Sequence, residues 1–165
     1  MALIMPNRFW TLTEMVALDG AQSFSELVPV ALTVLRRMSG RIAQVCGPMT
    51  TGGPLEIASL STPEERFEAN LARFRRGMRA VEKRNYSVFD QLPFQVAMIR
   101  IAATHHVEGY CYPLLTDFYR PIFSSGLVDE FFFMPHWQTS TGTSWERAEL
   151  TNLSLPIREI QPEWL

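Results

Sequence analysis

The chain has 165 residues, 47% of them hydrophobic and 19% charged, which is ordinary globular composition with enough length for one domain and a proper core. A formal net charge of −2 excludes the broad basic surface that a nucleic-acid polymer requires, and the one basic run, "RFRRGMR" (73–79), reads as the solvated face of a helix. Two cysteines, Cys46 and Cys111, are too few for a disulfide framework, "MALIMPNRFW" lacks the pattern of a signal peptide, and no apolar stretch reaches membrane-span length, so a cytoplasmic protein is expected.

The first forty residues read as a helical extension. "TLTEMVAL" opens on a capping box, Thr11 with Glu14, and stops at Asp19 and Gly20. "SFSELVPVALTVLRRMSG" is a second helix, with Ser25 as its N-cap, Pro29 early, Arg36 and Arg37 in the last turn and Gly40 at its end. Neither carries an obvious reactive group, so packing or an oligomer contact is the expected role.

From Arg41 onward, strands alternate with helices. "RIAQVCG" (41–47) is a short buried strand leading into the Gly/Pro/Thr loop "PMTTGGP". Thr62 as cap, Pro63 in the first turn and Glu65 closing the box start a helix whose apolar stripe is Phe67, Leu71, Phe74, Met78 and Val81, ending at Asn85. "YSVFDQL" (86–92) is the next strand. "PFQVAMIRIAATHH" (93–106) and "YPLLTDFYRPIF" (112–123) are helices, "LVDEFFFMP" (127–135) a third strand, "TSWERAELTNLSL" (143–155) a helix and "PIREI" (156–160) a closing strand. This alternation is the pattern of a parallel sheet covered on both faces.

Ligands of open α/β sheets sit beyond the carboxyl ends of the strands. Two such ends carry unusual loops, "CGPMTTGG" and "HWQTSTGTSWE". Gly47, Gly52 and Gly53 allow close backbone approach, and Thr50, Thr51, Ser140 and Thr141 offer hydroxyls. With the N–H groups opening the 143–155 helix, they suit a phosphate or a sugar hydroxyl. Neither loop has the spacing of a P-loop or a dinucleotide fingerprint, and the weight of two ordinary turns with helix caps is about equal. Glu146 falls in the first turn of that helix. The macrodipole alone favours a glutamate there, and the same position would lower its pKa and keep it ionised as a nucleophile requires; the residues leave both readings open.

Other constellations say less. His105, His106, Glu108 and Cys111 cluster in sequence, but no second pair completes a zinc motif, and neither a metal nor a cofactor is expected. Cys46 reads as a small core residue rather than a nucleophile. Ser140 lacks the G-x-S-x-G elbow of a hydrolase.

The arrangement "CGPMTTGG", then Asn70 and Phe74, then "YSVFDQLPF", then "DEFFFMPHWQTSTGTSWERAELTNLSLPI" resembles the nucleoside 2-deoxyribosyltransferase-like superfamily, which includes 2'-deoxynucleoside 5'-monophosphate N-glycosidases. The resemblance covers roughly residues 41 to 160, and its specific part is the final segment, an aspartate, an apolar strand, Trp, Ser-x-Gly and then an aromatic before glutamate. It implies a flavodoxin-like or Rossmann-like three-layer α/β sandwich with a central parallel sheet, here residues 41–165, with residues 1–40 as a helical extension packed on it. It implies Glu146 as the nucleophile that attacks the anomeric carbon and Asp117 as the residue that orients or protonates the base. Ser140 and Gly142 match the segment holding the 5'-phosphate or 5'-hydroxyl, and Gly47, Pro48, Thr50, Thr51, Gly52 and Gly53 match the sugar-side wall. Trp137, Trp145, Phe94 and Tyr112 are candidates to stack on the base, with core packing the first expectation for any single one. The expected partner is a small nucleoside or nucleotide, neither a nucleic-acid polymer nor a membrane, and the family's habit suggests a homodimer or higher homo-oligomer.

The chain departs from the family pattern at Ser144, where the glycosidases often have glycine, and in a longer gap between Asp117 and Asp129. "EIQPEWL" offers no match to the C-terminal residues that transferases lend a neighbouring subunit, which favours hydrolysis over base exchange. Two-carboxylate chemistry fits the cleavage, because an N-glycosidic bond breaks through an oxocarbenium-like state. The competing reading is a nucleotide-binding or sensing module of the same fold without turnover, and Glu146 is the residue that separates the two.

Overall fold

A computed structural model describes residues 6–165; the first five residues of the stretch read against a signal peptide lie outside the described residues. In chain order the helices are α1 (Leu12–Gly20), α2 (Phe24–Arg37), α3 (Leu55–Ala58), α4 (Pro63–Glu82), α5 (Gln95–Ala103), α6 (Arg120–Phe123) and α7 (Thr141–Asn152). The strands are β1 (Ile42–Cys46), β2 (Ser87–Val88), β3 (Glu130–Phe133) and β4 (Ile157–Glu159). The chain groups into two compact units. One joins the described residues up to Ser39 with Phe89–Val128, and the other joins Gly40–Val88 with Asp129–Leu165. Residues 89–128, expected within the α/β domain, thus keep company with the N-terminal helices.

The first unit is helical. Thr11 starts α1 as expected, its N–H donating to the Glu14 carboxylate at 2.8 Å. Glu14 is buried and pairs with Arg37 of α2 at 2.7 Å, while Arg37 also donates to the Phe9 carbonyl at 2.7 Å. The Arg37 guanidinium, helped by the Thr11 hydrogen bonds, holds the Glu14 carboxyl down at about 2 against the opposing effect of burial. From α5, Arg100 donates to the Leu18 and Ala21 carbonyls at 2.9 and 2.7 Å, satisfying the open end of α1. The Trp10 ring meets Phe94 edge-on at 5.0 Å, and its indole N–H donates to the Asp90 carbonyl at 2.9 Å.

A depressed carboxyl pKa stabilises the fold above the unfolded value, and that contribution is lost as pH falls through the folded one. Glu14→Gln is therefore expected to lower the urea midpoint at neutral pH. The gap to the parent should close between about 4.5 and about 2, as urea titrations across acid pH will show. A gap independent of pH would mean that lost packing rather than the ion pair accounts for the change.

Boundaries shift where a tertiary partner or a cap competes. Ser23, not Ser25, caps α2, because its hydroxyl accepts the Glu26 N–H and leaves Ser25 inside the helix. The strand expected over 86–92 is cut to Ser87–Val88. Asp90 accepts the Leu92 N–H at 3.1 Å and starts a 3-10 turn, Leu92–Phe94, which delays α5 to Gln95. The 112–123 helix is a π-helical stretch, Leu114–Tyr119, running into α6, and Pro121 has no N–H to continue an α-helical ladder through it.

The second unit holds the sheet. It is four-stranded and all parallel, in the order β2-β1-β3-β4. Phe131, Phe132 and Phe133 of β3 are wholly buried, which is why this strand reads as an unbroken apolar run rather than an alternating one. Thr62, Pro63 and Glu65 start α4 as expected, with reciprocal cap bonds of 3.1 Å. Leu71, Phe74, Met78 and Val81 are buried along it, and Phe67 is half-buried. Asn85 turns the chain with φ of 66° after the helix ends. The architecture is the expected α/β class, a central parallel sheet flanked by helices in the manner of flavodoxin-like and Rossmann-like sandwiches. Among the described residues, no helix is long and apolar enough to cross a membrane.

Candidate functional site

In this strand order the chain leaves β1 for β2 on one side and reaches β3 on the other, so the crevice beyond the carboxyl ends of β1 and β3 is the topological switch point. Cys46 and Phe133 end these strands opposite each other, and the Met134 N–H donates to the Cys46 carbonyl at 2.8 Å. The two unusual loops therefore set out side by side. A side chain at Gly47 would place its Cβ 2.5 Å from Met134 Cγ and 2.8 Å from Met134 Cβ, so only glycine admits this packing.

The loops touch again further out. Gly53 donates its N–H to Thr139 Oγ1 at 2.7 Å, and Thr139 donates in turn to the His136 carbonyl at 2.6 Å. Gly52, with φ of +77°, lies so close that an added Cβ would be 2.6 Å from the Thr139 carbonyl oxygen. From α4, the buried Asn70 donates through Nδ2 to the Gly52 and Met49 carbonyls at 3.1 and 3.3 Å. The first loop is thus held from two sides, with Pro48 buried and the Thr50 and Thr51 side chains exposed. Thr139 was not singled out in the sequence, where it is one hydroxyl among many. Asn70 leaves a better signal, as a polar residue beside Leu71 on the stripe of α4.

The second loop departs from its sequence reading. Helix α7 begins at Thr141 rather than Thr143, because Ser140 is the N-cap and its hydroxyl accepts the Thr143 N–H at 3.3 Å. Ser140 also pairs with the Thr143 hydroxyl at 3.2 Å, so much of the expected hydroxyl cradle is spent on starting the helix. Gly142 is buried in the first turn and Thr141 is exposed. Glu146 consequently lies in the second turn, where the macrodipole has largely faded.

Glu146 is 6% exposed. Burial pushes its carboxyl up to about 8, and a hydrogen bond from the Cys46 thiol offsets this only in part. Of the two readings of this position, the lowered pKa is thereby overturned, because burial is the largest influence on the carboxyl. The thiol itself is pushed well above the ordinary cysteine range, first by burial and then by the carboxyl beside it. Near neutral pH the pair is an uncharged acid against an un-ionised thiol, a group that can give a proton or, once ionised, attack.

Trp137 follows β3 in a short 3-10 turn, Trp137–Thr139. It is half-buried, meets Phe133 edge-on at 5.9 Å and carries the Arg147 guanidinium 4.5 Å from its ring centre. Arg147 pairs with Glu159 of β4 at 3.1 Å. A cleft of about 160 Å³ opens here, lined by Trp137, Gln138, Glu159 and Gln161 among others, and Glu146 is not part of its wall. Trp145 is half-buried on α7.

The remaining candidates belong to the first unit. Asp117 is exposed on the π-helical stretch and accepts the Thr116 hydroxyl at 2.9 Å. Phe94 is fully buried between Trp10 and Phe118, so its role is packing rather than stacking on a base. Tyr112 is exposed, with Tyr110 at 5.5 Å. His105 stacks on Phe24 at 5.2 Å, and among the described residues no group of three or more His, Cys, Asp or Glu gathers as a metal site.

No protein-family model matches the chain, and neither a curated protein nor a solved structure matches it.

Proposed function

We propose that the protein is an N-glycosidase, or a deoxyribosyltransferase, that breaks the bond between base and sugar in a (2'-deoxy)nucleoside or its 5'-monophosphate, with Glu146 as the nucleophile. The observation that carries this reading is the burial of the Glu146 carboxyl at the β1–β3 switch point, four residues after the Ser-x-Gly segment that resembles the superfamily's. The ionised carboxylate attacks the anomeric carbon as the base departs with the bonding pair, and water then releases the sugar. Ser140 and Gly142 hold the 5' end, and Gly47, Pro48, Thr50, Thr51, Gly52 and Gly53 form the sugar-side wall. Trp137 offers a face for the base. A deoxyribose presents no 2'-hydroxyl to obstruct the carboxylate.

The test is release of free base from a panel of nucleosides and nucleotides, deoxy and ribo, beside a Glu146→Ala control. The expected result is release from a subset of the panel that disappears in the control. The attacking form is the anion, so kcat/KM should climb with pH and level off above about 8. A second reading also draws on Glu146. An uncharged carboxyl near neutral pH is a hydrogen-bonding group, as a nucleotide sensor without turnover would use. Binding of a panel member with no base released at any pH, with or without an acceptor base, would favour that sensor.

A further inference from the structure

The basic run "RFRRGMR" does not lie wholly on a solvated face. Arg76 and Arg79 are exposed and Arg75 is half-buried, but Arg73 is only 7% exposed. Its place on α4 explains this. Asn70, Arg73 and Gly77 follow one another at helical spacing along one side of the helix. Asn70 holds the loop after β1 through the Met49 and Gly52 carbonyls. Gly77 lies so close to the residue after β3 that an added Cβ would be 2.3 Å from Met134 Sδ. Between them, Arg73 donates through Nη2 to the Pro135 carbonyl at 2.8 Å. The guanidinium is thus fixed at the start of the second loop of the switch point, one helical turn along from the side chain that holds the first.

A buried cation is ordinarily matched by a carboxylate, because a charge taken out of water alone is costly. Arg37, Arg41, Arg147 and Arg158 each pair with a glutamate, and no carboxylate pairs with Arg73 among the described residues. Burial, and then Arg76, push its pKa down, but an arginine stays charged near neutral pH. Among the described residues, the partnerless side-chain atoms sealed from solvent, such as Asn70 Oδ1 and Arg147 Nη1, belong to residues other than Arg73. The N–H groups of Arg73 that find no protein acceptor therefore reach solvent, so one arm of a planar fork is anchored and the rest is open to an incoming group. Such a fork matches the paired oxygens of a phosphate, which would bring the counter-charge that the protein does not supply. We infer that the crevice takes a phosphate monoester, the 5'-monophosphate rather than the free nucleoside, and that Arg73 grips its phosphate. This choice of substrate rests on the reading of the crevice as a nucleoside or nucleotide site. Ser140 and Gly142, assigned there to the 5' end, bring no charge, so Arg73 is the group that would separate the two substrates by affinity.

Binding is read with 2-deoxyribose 5-phosphate, and 2-deoxyribose as its control, on protein carrying ¹⁵N-labelled arginine. The parent is expected to hold the sugar phosphate at least about tenfold tighter than the sugar. The Arg73 Nε resonance, identified through Arg73→Lys, should shift along that titration. Arg73→Gln is expected to lose the preference and to bind the sugar as the parent does, whereas loss of a merely structural arginine would harm both ligands alike. No preference for the phosphate in the parent, or a glutamine variant that keeps it, would overturn the role. If glutamine is not tolerated, the parent spectrum decides alone, since an Arg73 signal that stays still at saturating sugar phosphate defeats the assignment. Where base is released, Arg73→Gln should raise KM for the monophosphate and leave its kcat and the nucleoside's KM unchanged. The binding steps need no turnover, so failure of the glycosidase reading would appear as absent base release with the phosphate preference intact.

Discussion

Glu146→Gln is expected to abolish base release and, at the same time, to make the protein harder to unfold in alkaline solution. The loss of activity should be at least about a thousandfold, because an amide of the same shape cannot form the glycosyl intermediate. The gain in stability follows from linkage. The folded carboxyl titrates at about 8 against an ordinary value of 4.5, so between these values the folded chain holds a proton that the unfolded chain has released. Stability therefore falls as pH rises through that window and is lowest above it. Glutamine never ionises and escapes the penalty. Below about 4.5 the two proteins should unfold alike; above about 8 the variant should lead by on the order of 3–5 kcal/mol. Urea unfolding at both ends of the range measures this. Equal stability at the alkaline end would mean that water reaches Glu146, and the desolvated nucleophile would have to be abandoned.

Gly52→Ala should cost the next largest amount, about 2–4 kcal/mol, and should damage the site as well. Two penalties combine there. A φ of +77° is unfavourable for any residue with a Cβ, and that Cβ would come within 2.6 Å of the Thr139 carbonyl oxygen, a backbone atom that cannot swing aside. Either the loop rises and breaks the Gly53–Thr139 hydrogen bond, or the segment after β3 moves and carries the cap of α7 with it. Gly126 provides the comparison. Its φ is +73° with nothing within 4 Å of an added Cβ, so Gly126→Ala suffers only the conformational strain. Denaturant melts of both variants separate the terms. If Gly52→Ala costs no more than Gly126→Ala, the close approach of the two loops does not exist in solution. If it costs more but leaves nucleotide binding untouched, the loops meet without forming the ligand's wall.

The amino-acid sequence by itself determined the capping boxes at Thr11 with Glu14 and Thr62 with Glu65, the apolar stripe of α4, the phenylalanine run of β3 and the α/β alternation. Each of these signals acts between residues a few positions apart, through a cap hydrogen bond or a helical or strand repeat, so a linear reading finds it. It also determined which two loops would carry glycines and hydroxyls. Tertiary structure decided the rest. It started α7 at Thr141 behind the Ser140 cap, where the sequence had suggested Thr143, and so moved Glu146 into the second turn. It cut the second strand at Asp90 and gathered residues 89–128 with the N-terminal helices, where Trp10 and Arg100 find their partners. Above all it decided the charge of Glu146. A helix position is written locally, but a carboxyl's protonation depends on how much water remains around it, and that depends on Cys46 and other residues that only the folded sheet brings near.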